Sequence, residues 1–268
     1  MLIRVGYDMT FEVENSVAMV AHLNVHPSRR ADLREPDQLQ LDPPGEIDQY
    51  TDGFGNEASR FVVPPGKIWL HNSTLVEDSG QPNWYDPRAE EVPVERLPHE
   101  MLRYLLPSRY CEIDLLTNTA VELFGGAPKG AYRVQTICDW VHRNVTFGYH
   151  FARPTRTALN VYTERVGVCR DFQHLAVTFC RCLNIPARYA TGYLGDIGVP
   201  PSGPGDFSAW FEAYLSDRWW TFDARFNTPR IGRILMATGR DATDVAITTA
   251  FGNALLLDFH VVADEVAG

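Results

Sequence analysis

The first 80 residues contain short apolar runs in which hydrophobic and polar positions alternate. Every second residue from Val5 to Phe11 is apolar, which is the period of a strand with one buried face. Prolines and glycines between the runs, as in Pro64–Pro65–Gly66, indicate turns. Three further apolar runs of strand length occupy residues 17–23, 59–63 and 68–70. We therefore expect an antiparallel, β-rich N-terminal domain over residues 1–80.

Residues 81–107 show neither the strand period nor the helix period. Prolines interrupt this stretch repeatedly, and each one removes a backbone donor and restricts the residue before it. They are Pro82, Pro87, Pro93, Pro98 and Pro107. The pattern predicts a linker between two domains.

After residue 107 the apolar residues fall at spacings of three and four, which is typical of helices. Residues 115–123 and 134–141 show this spacing, and Gly125–Gly126 is expected to end the first helix. The clearest stripe begins at Cys169, ends before Pro186, and comprises Phe172, Leu175, Ala176, Phe179 and Leu183. The second half of the chain is therefore expected to begin with helices.

Three apolar, aromatic-rich runs follow the last helix at Ala187–Tyr193, Ala209–Leu215 and Arg218–Asp223. The last two are separated by the pair Ser216–Asp217, as in a hairpin. Helices followed by an antiparallel sheet indicate an α+β fold. We expect residues 108–268 to form one domain in which helices pack on an antiparallel sheet.

The composition is that of an ordinary folded protein, with 45% apolar and 22% charged residues. No apolar run approaches the roughly 20 residues that span a bilayer. The net charge is −10 and no block of lysine and arginine stands out, which disfavours binding to phosphate backbones. We expect neither a membrane nor a nucleic-acid partner. Residues 1–11 show no secretory signal pattern, so we expect a cytoplasmic protein.

The cysteines are odd in number and show no paired C-x-x-C spacing, which argues against a disulfide framework and a thiolate zinc site. They are Cys111, Cys138, Cys169, Cys180 and Cys182. No spacing of histidine, aspartate and glutamate suggests another metal site. We expect neither a metal nor a cofactor.

Cys169 differs from the other cysteines because it stands at the predicted start of a helix, directly after Gly167–Val168. The unpaired N–H groups and the positive end of the helix dipole favour a thiolate at such a position. The backbone N–H of Cys169 could also donate to an oxyanion. These features are typical of a nucleophilic cysteine.

Four segments around and after Cys169 resemble, in type and order, those of a known family. They are Gly167–Leu175, Ile185–Tyr189, Ala209–Tyr214 and Trp219–Arg225. The chain resembles the transglutaminase-like superfamily, in particular bacterial cysteine proteases with a papain-like fold preceded by a β-domain. The resemblance implies that Cys169 attacks an amide carbonyl to form a thioester and that Asp223 orients the general base.

Ser208 departs from the pattern of that family. The resemblance places the family's general-base histidine directly before Ala209–Trp210, where this chain has Ser208. A serine hydroxyl cannot accept a thiol proton near pH 7, and losing a positioned base typically costs about 10²–10⁴ in rate. Three explanations are open: the serine was introduced to trap an inactive form, another residue supplies the base, or the domain no longer performs thiol chemistry.

Two histidines are candidates for a replacement base. His150 follows a predicted strand in a loop that could line the cleft. His174 lies five residues after Cys169, about 500° around the helix at roughly 100° per residue, so it is expected to point away from the sulfur. His150 is therefore the alternative base that we favour.

Three functions follow from these observations. The first is acyl transfer or amide hydrolysis through a thioester on Cys169, with a peptide, a protein or a small amide as substrate. The second is a non-catalytic module that keeps the cleft to bind a peptide or partner, and the third is a different chemistry in the same cleft. Ser208 is the residue that separates the first from the other two. The sequence indicates no oligomeric state.

Overall fold

The computed structural model describes residues 1–200 and 205–266. The strands are β1 (Leu2–Val13), β2 (Val17–Ala21), β3 (Gln40–Asp42), β4 (Ile47–Thr51), β5 (Glu57–Val63), β6 (Gly66–Glu77), β7 (Thr146–Phe147), β8 (Val166–Gly167), β9 (Ala187–Leu194), β10 (Phe207–Leu215), β11 (Arg218–Phe222), β12 (Arg233–Gly239), β13 (Thr248–Ala250) and β14 (Leu255–Val266). The helices are α1 (Ile113–Phe124), α2 (Ala131–Asn144), α3 (Ala158–Glu164) and α4 (Cys169–Cys182), and short 3₁₀ helices lie at Pro27–Asp32, Val94–Arg96, His99–Leu105 and Tyr149–Phe151.

Two antiparallel sheets build the N-terminal part of the molecule, with strand orders β14-β1-β6-β3 and β13-β2-β5-β4. The two-residue period of β1 directs its apolar side chains into a core that they share with β2, and Val5 and Met19 are both buried there. Burial of one face is what such an alternating strand requires.

The third antiparallel sheet has the order β11-β10-β9-β12 and packs against the helices. Helix α4 contributes Phe172, Leu175 and Phe179 to this core, while Phe211 of β10 and Phe222 of β11 enter it from the sheet. The hairpin between β10 and β11 turns at Ser216–Asp217, whose φ angles are 47° and 58°. Left-handed values at both turn positions suit the right-handed twist of a hairpin.

The predicted α+β fold, with a β-rich N-terminal part followed by helices on an antiparallel sheet, is confirmed. Helix α4 begins at Cys169, as the spacing predicted. Helix α1 differs in its buried face, because Leu115 and Leu123 are exposed and Phe124 is buried instead.

The last strand belongs to a different part of the fold from the one predicted. Residues 108–268 were expected to form one domain, but β14 pairs with β1 along nearly its whole length, from Leu2 opposite Val266 to Glu12 opposite Leu255. The N-terminal sheet is therefore completed by the last strand of the chain. The boundaries at residues 80 and 107 remain predictions.

The predicted linker, residues 81–107, lies against the helical part. Ala89 accepts a hydrogen bond from the Ala131 N–H at the start of α2, at 2.8 Å, and Glu91 forms an ion pair with Arg133 at 3.2 Å. Tyr104 is buried.

Within the described residues, no helix has the length and apolar character needed to cross a bilayer.

Candidate active site

The start of helix α4 is fixed by a buried carboxylate. Asp171 is fully buried and accepts a hydrogen bond from the Val168 N–H at 3.0 Å. Its charge is balanced by Arg170 at 3.1 Å and Arg156 at 3.4 Å. Gly167 allows this close approach, because a Cβ added there would lie 2.6 Å from the Cβ of Asp171. The turn before the helix is therefore rigid, and Cys169 is its first helical residue.

Cys169 is partly exposed and lines a groove of about 580 Å³. Asp206, directly before β10, and Ser208 in β10 line the same groove. Tyr149, from the 3₁₀ helix at Tyr149–Phe151, and Arg225, from the loop after β11, line it as well. The residues 260–265 of β14 also line the groove. The sulfur is thus accessible from a cleft between the helical part and the N-terminal sheet.

Burial controls the protonation of the Cys169 thiol. Burial raises the pKa of this thiol to about 11, against the charge of Arg225, which lowers it, while the charge of Asp206 raises it further. The helix start was expected to favour the thiolate, but desolvation outweighs that effect. At neutral pH Cys169 is therefore a thiol that needs a base or an alkaline medium.

Ser208 pairs with Gly192 in the sheet and is almost completely buried. Its hydroxyl oxygen has no hydrogen-bond partner among the residues that the structure describes. A buried hydroxyl without a partner is costly unless a ligand or water satisfies it. Ser208 lines the groove, but its hydroxyl oxygen itself is buried.

Asp223 lies just after β11 and is held by an arginine. Its Oδ2 accepts a hydrogen bond from Arg233 at 2.7 Å, and both side chains are only 4% exposed. Its Oδ1 accepts from the Gln173 side chain at 3.0 Å and from the N–H groups of Arg225 and Phe226 at 2.9 and 3.1 Å. The carboxylate is thus largely occupied, and it is not among the described residues that line the Cys169 groove.

Comparison with known proteins places this arrangement in a family. Residues 117–224 match the model of the Transglutaminase-like superfamily. The crystal structure of "a Putative Cysteine Protease from Cytophaga hutchinsonii" shares 32% sequence identity, with a TM-score of 0.85 over 100% of this chain and 91% of that chain. This chain belongs to the transglutaminase-like superfamily. Protein ML0607 of Mycobacterium leprae is 38% identical over 210 residues, which are 74% of this chain and 73% of that protein.

Membership of the transglutaminase-like superfamily supports a coarse protease- or acyltransferase-type function. The catalytic roles of Cys169, Ser208 and Asp223 stay predictions. Cys169 and Ser208 lie in one groove, whereas Gln173 on α4, one turn after Cys169, connects the helix to Asp223.

The two histidines considered as replacement bases lie in different surroundings. His150 is exposed and its ring lies 3.9 Å from that of Phe151. It is not among the described residues that line the groove. His174 is fully buried, accepts a hydrogen bond from the Ala242 N–H at 3.1 Å and stacks on Tyr110. Burial lowers the pKa of His174 to about 3, so it is neutral at pH 7.

Sequence reasoning passed over several residues that the transglutaminase-like fold brings to the site. Asp206 lines the groove, and burial raises its pKa. His260 of β14 lines the groove as well, through a strand pairing that no local pattern reveals. Arg225 had one signal, its position two residues after Asp223. Arg233 had none, because it reaches Asp223 only through the fold.

Proposed function

We propose that this protein is a cysteine-nucleophile enzyme that transfers or hydrolyses the acyl group of an amide. The Cys169 sulfur attacks the carbonyl carbon, a carbon–sulfur bond forms, and the amine leaves with a proton. Water or a second amine then attacks the thioester and releases the acyl group. A peptide, a protein or a small amide can supply the carbonyl.

The accessibility of Cys169 is the observation that carries this proposal. The sulfur stands at the first residue of α4 and lines an open groove, while Cys111, Cys138 and Cys180 are buried. N–H groups at the start of a helix can stabilise the oxyanion of a tetrahedral intermediate. Ser208 lines the same groove, and its buried hydroxyl, which has no partner among the described residues, would have to become exposed to donate to the oxyanion.

The mechanism requires a group that removes the proton of the Cys169 thiol. Asp223 is already paired with Arg233, and the raised pKa of Cys169 leaves little thiolate at pH 7. We therefore expect slow turnover at neutral pH that increases as the pH rises. His260 and His150 are the histidines to test as bases, and His260 is the one of the two that lines the groove.

The test is turnover of a chromogenic p-nitroanilide, or incorporation of a fluorescent primary amine, by matched variants. Cys169→Ala should abolish both reactions. Cys182→Ala is the control, because Cys182 is also partly exposed and burial also raises its pKa to about 11. Ser208→His should increase turnover, because an imidazole can accept the thiol proton. Turnover that survives Cys169→Ala would refute the proposal.

A non-catalytic binding module is the second candidate, and the Arg233–Asp223 pair favours it. Arg233 already balances the charge of the buried Asp223 carboxylate, so this carboxylate does not require a histidine as a partner. In that case Cys169→Ala would leave ligand binding unchanged and no variant would show turnover. A third candidate, a different chemistry that uses Cys169, Ser208 or His150, would show turnover that Ser208→His removes rather than increases.

A further inference from the structure

Arg225 presents a stacked guanidinium group to the groove that contains Cys169. Its Cζ lies 3.9 Å from the ring centre of Phe147 and 4.3 Å from that of Phe226. Its backbone is fixed as well, since its N–H donates to Asp223 at 2.9 Å. Aromatic rings that cover the faces of a guanidinium leave its N–H groups free to donate within the plane of the group.

No carboxylate forms an ion pair with Arg225 within the described part of the chain. Burial raises the pKa of the Asp206 carboxyl, and the charge of Arg225 partly offsets that effect. Most of the groove's other charges are negative, yet none of the ion pairs found among residues 1–200 and 205–266 includes Arg225. An ordered arginine in a cleft, with its donors unused, is a common way to bind a planar anion through two parallel hydrogen bonds.

The charge of Arg225 also acts on the nucleophile. It lowers the pKa of the Cys169 thiol against the larger effect of burial. Because Arg225 and Cys169 line the same groove, a molecule whose carbonyl lies at the sulfur can place another group near the guanidinium.

The other charges of the groove limit the ligand. Asp206, Asp264 and Glu265 also line it, and Asp196 lines it in an ion pair with Arg230 at 3.1 Å. These carboxylates would repel a ligand with several negative charges. The groove is therefore suited to a ligand with one carboxylate.

We propose that Arg225 is a specificity-determining residue that binds a free carboxylate on the substrate, so that the preferred acyl donor is an amide with one carboxylate near its carbonyl. The substrate class rests on the proposed function, but the binding of a carboxylate beside the Cys169 sulfur does not. Arg225 holds the acyl part of the substrate while the sulfur attacks the carbonyl carbon.

Alkylation with two reagents of different charge tests this without any turnover. Iodoacetate carries a carboxylate and iodoacetamide is its neutral analogue. The thiolate sulfur displaces iodide from the CH₂ carbon of either reagent, which leaves a carboxymethyl or a carbamidomethyl group on the sulfur. The rate of each at Cys169 is measured by mass spectrometry of the digested protein, with Cys182 in the same samples as reference. The ratio of the two rates cancels any change in the thiolate fraction, because both reagents require the thiolate.

We expect Arg225→Gln to lower the iodoacetate-to-iodoacetamide ratio at Cys169 by roughly fivefold, the effect of one nearby charge in a partly solvated cleft. Arg225→Lys should keep most of the ratio. Arg218→Gln is the matched control and should leave the ratio at Cys169 unchanged. The Cζ of Arg218 lies 4.1 Å from the ring centre of Trp220, and neither residue is among those that line the groove. In the unmodified protein, added salt should lower the ratio at Cys169.

A ratio that stays within twofold in Arg225→Gln, or that salt does not change, would overturn the proposal. A second measurement separates it from the proposed enzyme activity. The p-nitroanilide of succinic acid should have a lower KM than its methyl ester, and Arg225→Gln should remove that preference with a smaller effect on kcat. Absence of turnover with both would refute the enzyme, while the alkylation ratio would still decide the role of Arg225.

Discussion

Arg233 and Asp223 form a buried ion pair. Substituting the aspartate and substituting the arginine should lower the free energy of unfolding by different amounts. Both side chains are 4% exposed. Asp223 also accepts three N–H groups, from Gln173, Arg225 and Phe226, and such donors stabilise a carboxylate even without a cation. The Nε and Nη1 groups of Arg233 have no partner among the described residues. The arginine therefore depends on the aspartate more than the aspartate depends on the arginine.

Asp223→Asn leaves a buried, uncompensated guanidinium and should lower the free energy of unfolding by about 3–5 kcal/mol. Arg233→Met leaves a carboxylate that keeps its other donors, and should cost about 1–3 kcal/mol. Urea unfolding followed by far-UV circular dichroism measures both. Asp48→Asn is the control, because Asp48 pairs with Arg60 on the surface and such pairs contribute about 0–1 kcal/mol. Equal costs, or a larger cost for Arg233→Met, would refute this reasoning.

Three further predictions concern Cys169 and the turn before it. The rate of iodoacetamide labelling of Cys169 should rise with pH toward a midpoint near 11, because burial raises the pKa of the thiol from 9 to about 11. This shift lowers the thiolate fraction at pH 7 about 100-fold. A midpoint below 9 would contradict the predicted shift. Asp206→Asn should lower that midpoint, because the charge of Asp206 opposes the thiolate, and an unchanged or higher midpoint in the same titration would count against the groove geometry. Gly167→Ala should lower the free energy of unfolding by about 1–3 kcal/mol in urea unfolding, since the new Cβ would lie 2.6 Å from the Cβ of Asp171. Gly126→Ala is the control and should cost less, because a Cβ at that position meets nothing within 4 Å. A similar loss of stability in both variants would contradict the steric explanation.

The spacing of apolar residues within short stretches of sequence predicted helix α4 and strand β1. The spacing from Phe172 to Phe179 predicted helix α4, because apolar residues three and four apart lie on one helix face. The other faces of the helix are buried as well, including Gln173 and His174, which the spacing did not indicate. The alternation from Val5 to Phe11 predicted β1, because alternate residues lie on one face of a strand. These elements carry Cys169 and one side of the N-terminal core.

The electrostatics of the site could not be predicted in the same way. Arg233 of β12 reaches Asp223, just after β11, by extending over Trp210 of β10, although β11 and β12 are the two edges of the sheet. Neither strand encodes that order alone. Arg225 acquires its role from stacking on Phe147, 78 positions earlier in the sequence. The helix start at Cys169 suggested a thiolate, yet desolvation by tertiary packing determines the sign of the pKa shift.

The pairing of β14 with β1 has a consequence for the order in which the molecule assembles. Contacts between residues far apart in the sequence require a long loop to close, and folds rich in such contacts fold more slowly. The residues 260–265 of β14 line the cleft opposite the nucleophile. One wall of the groove that Cys169 lines is therefore present only when β14 has paired with β1.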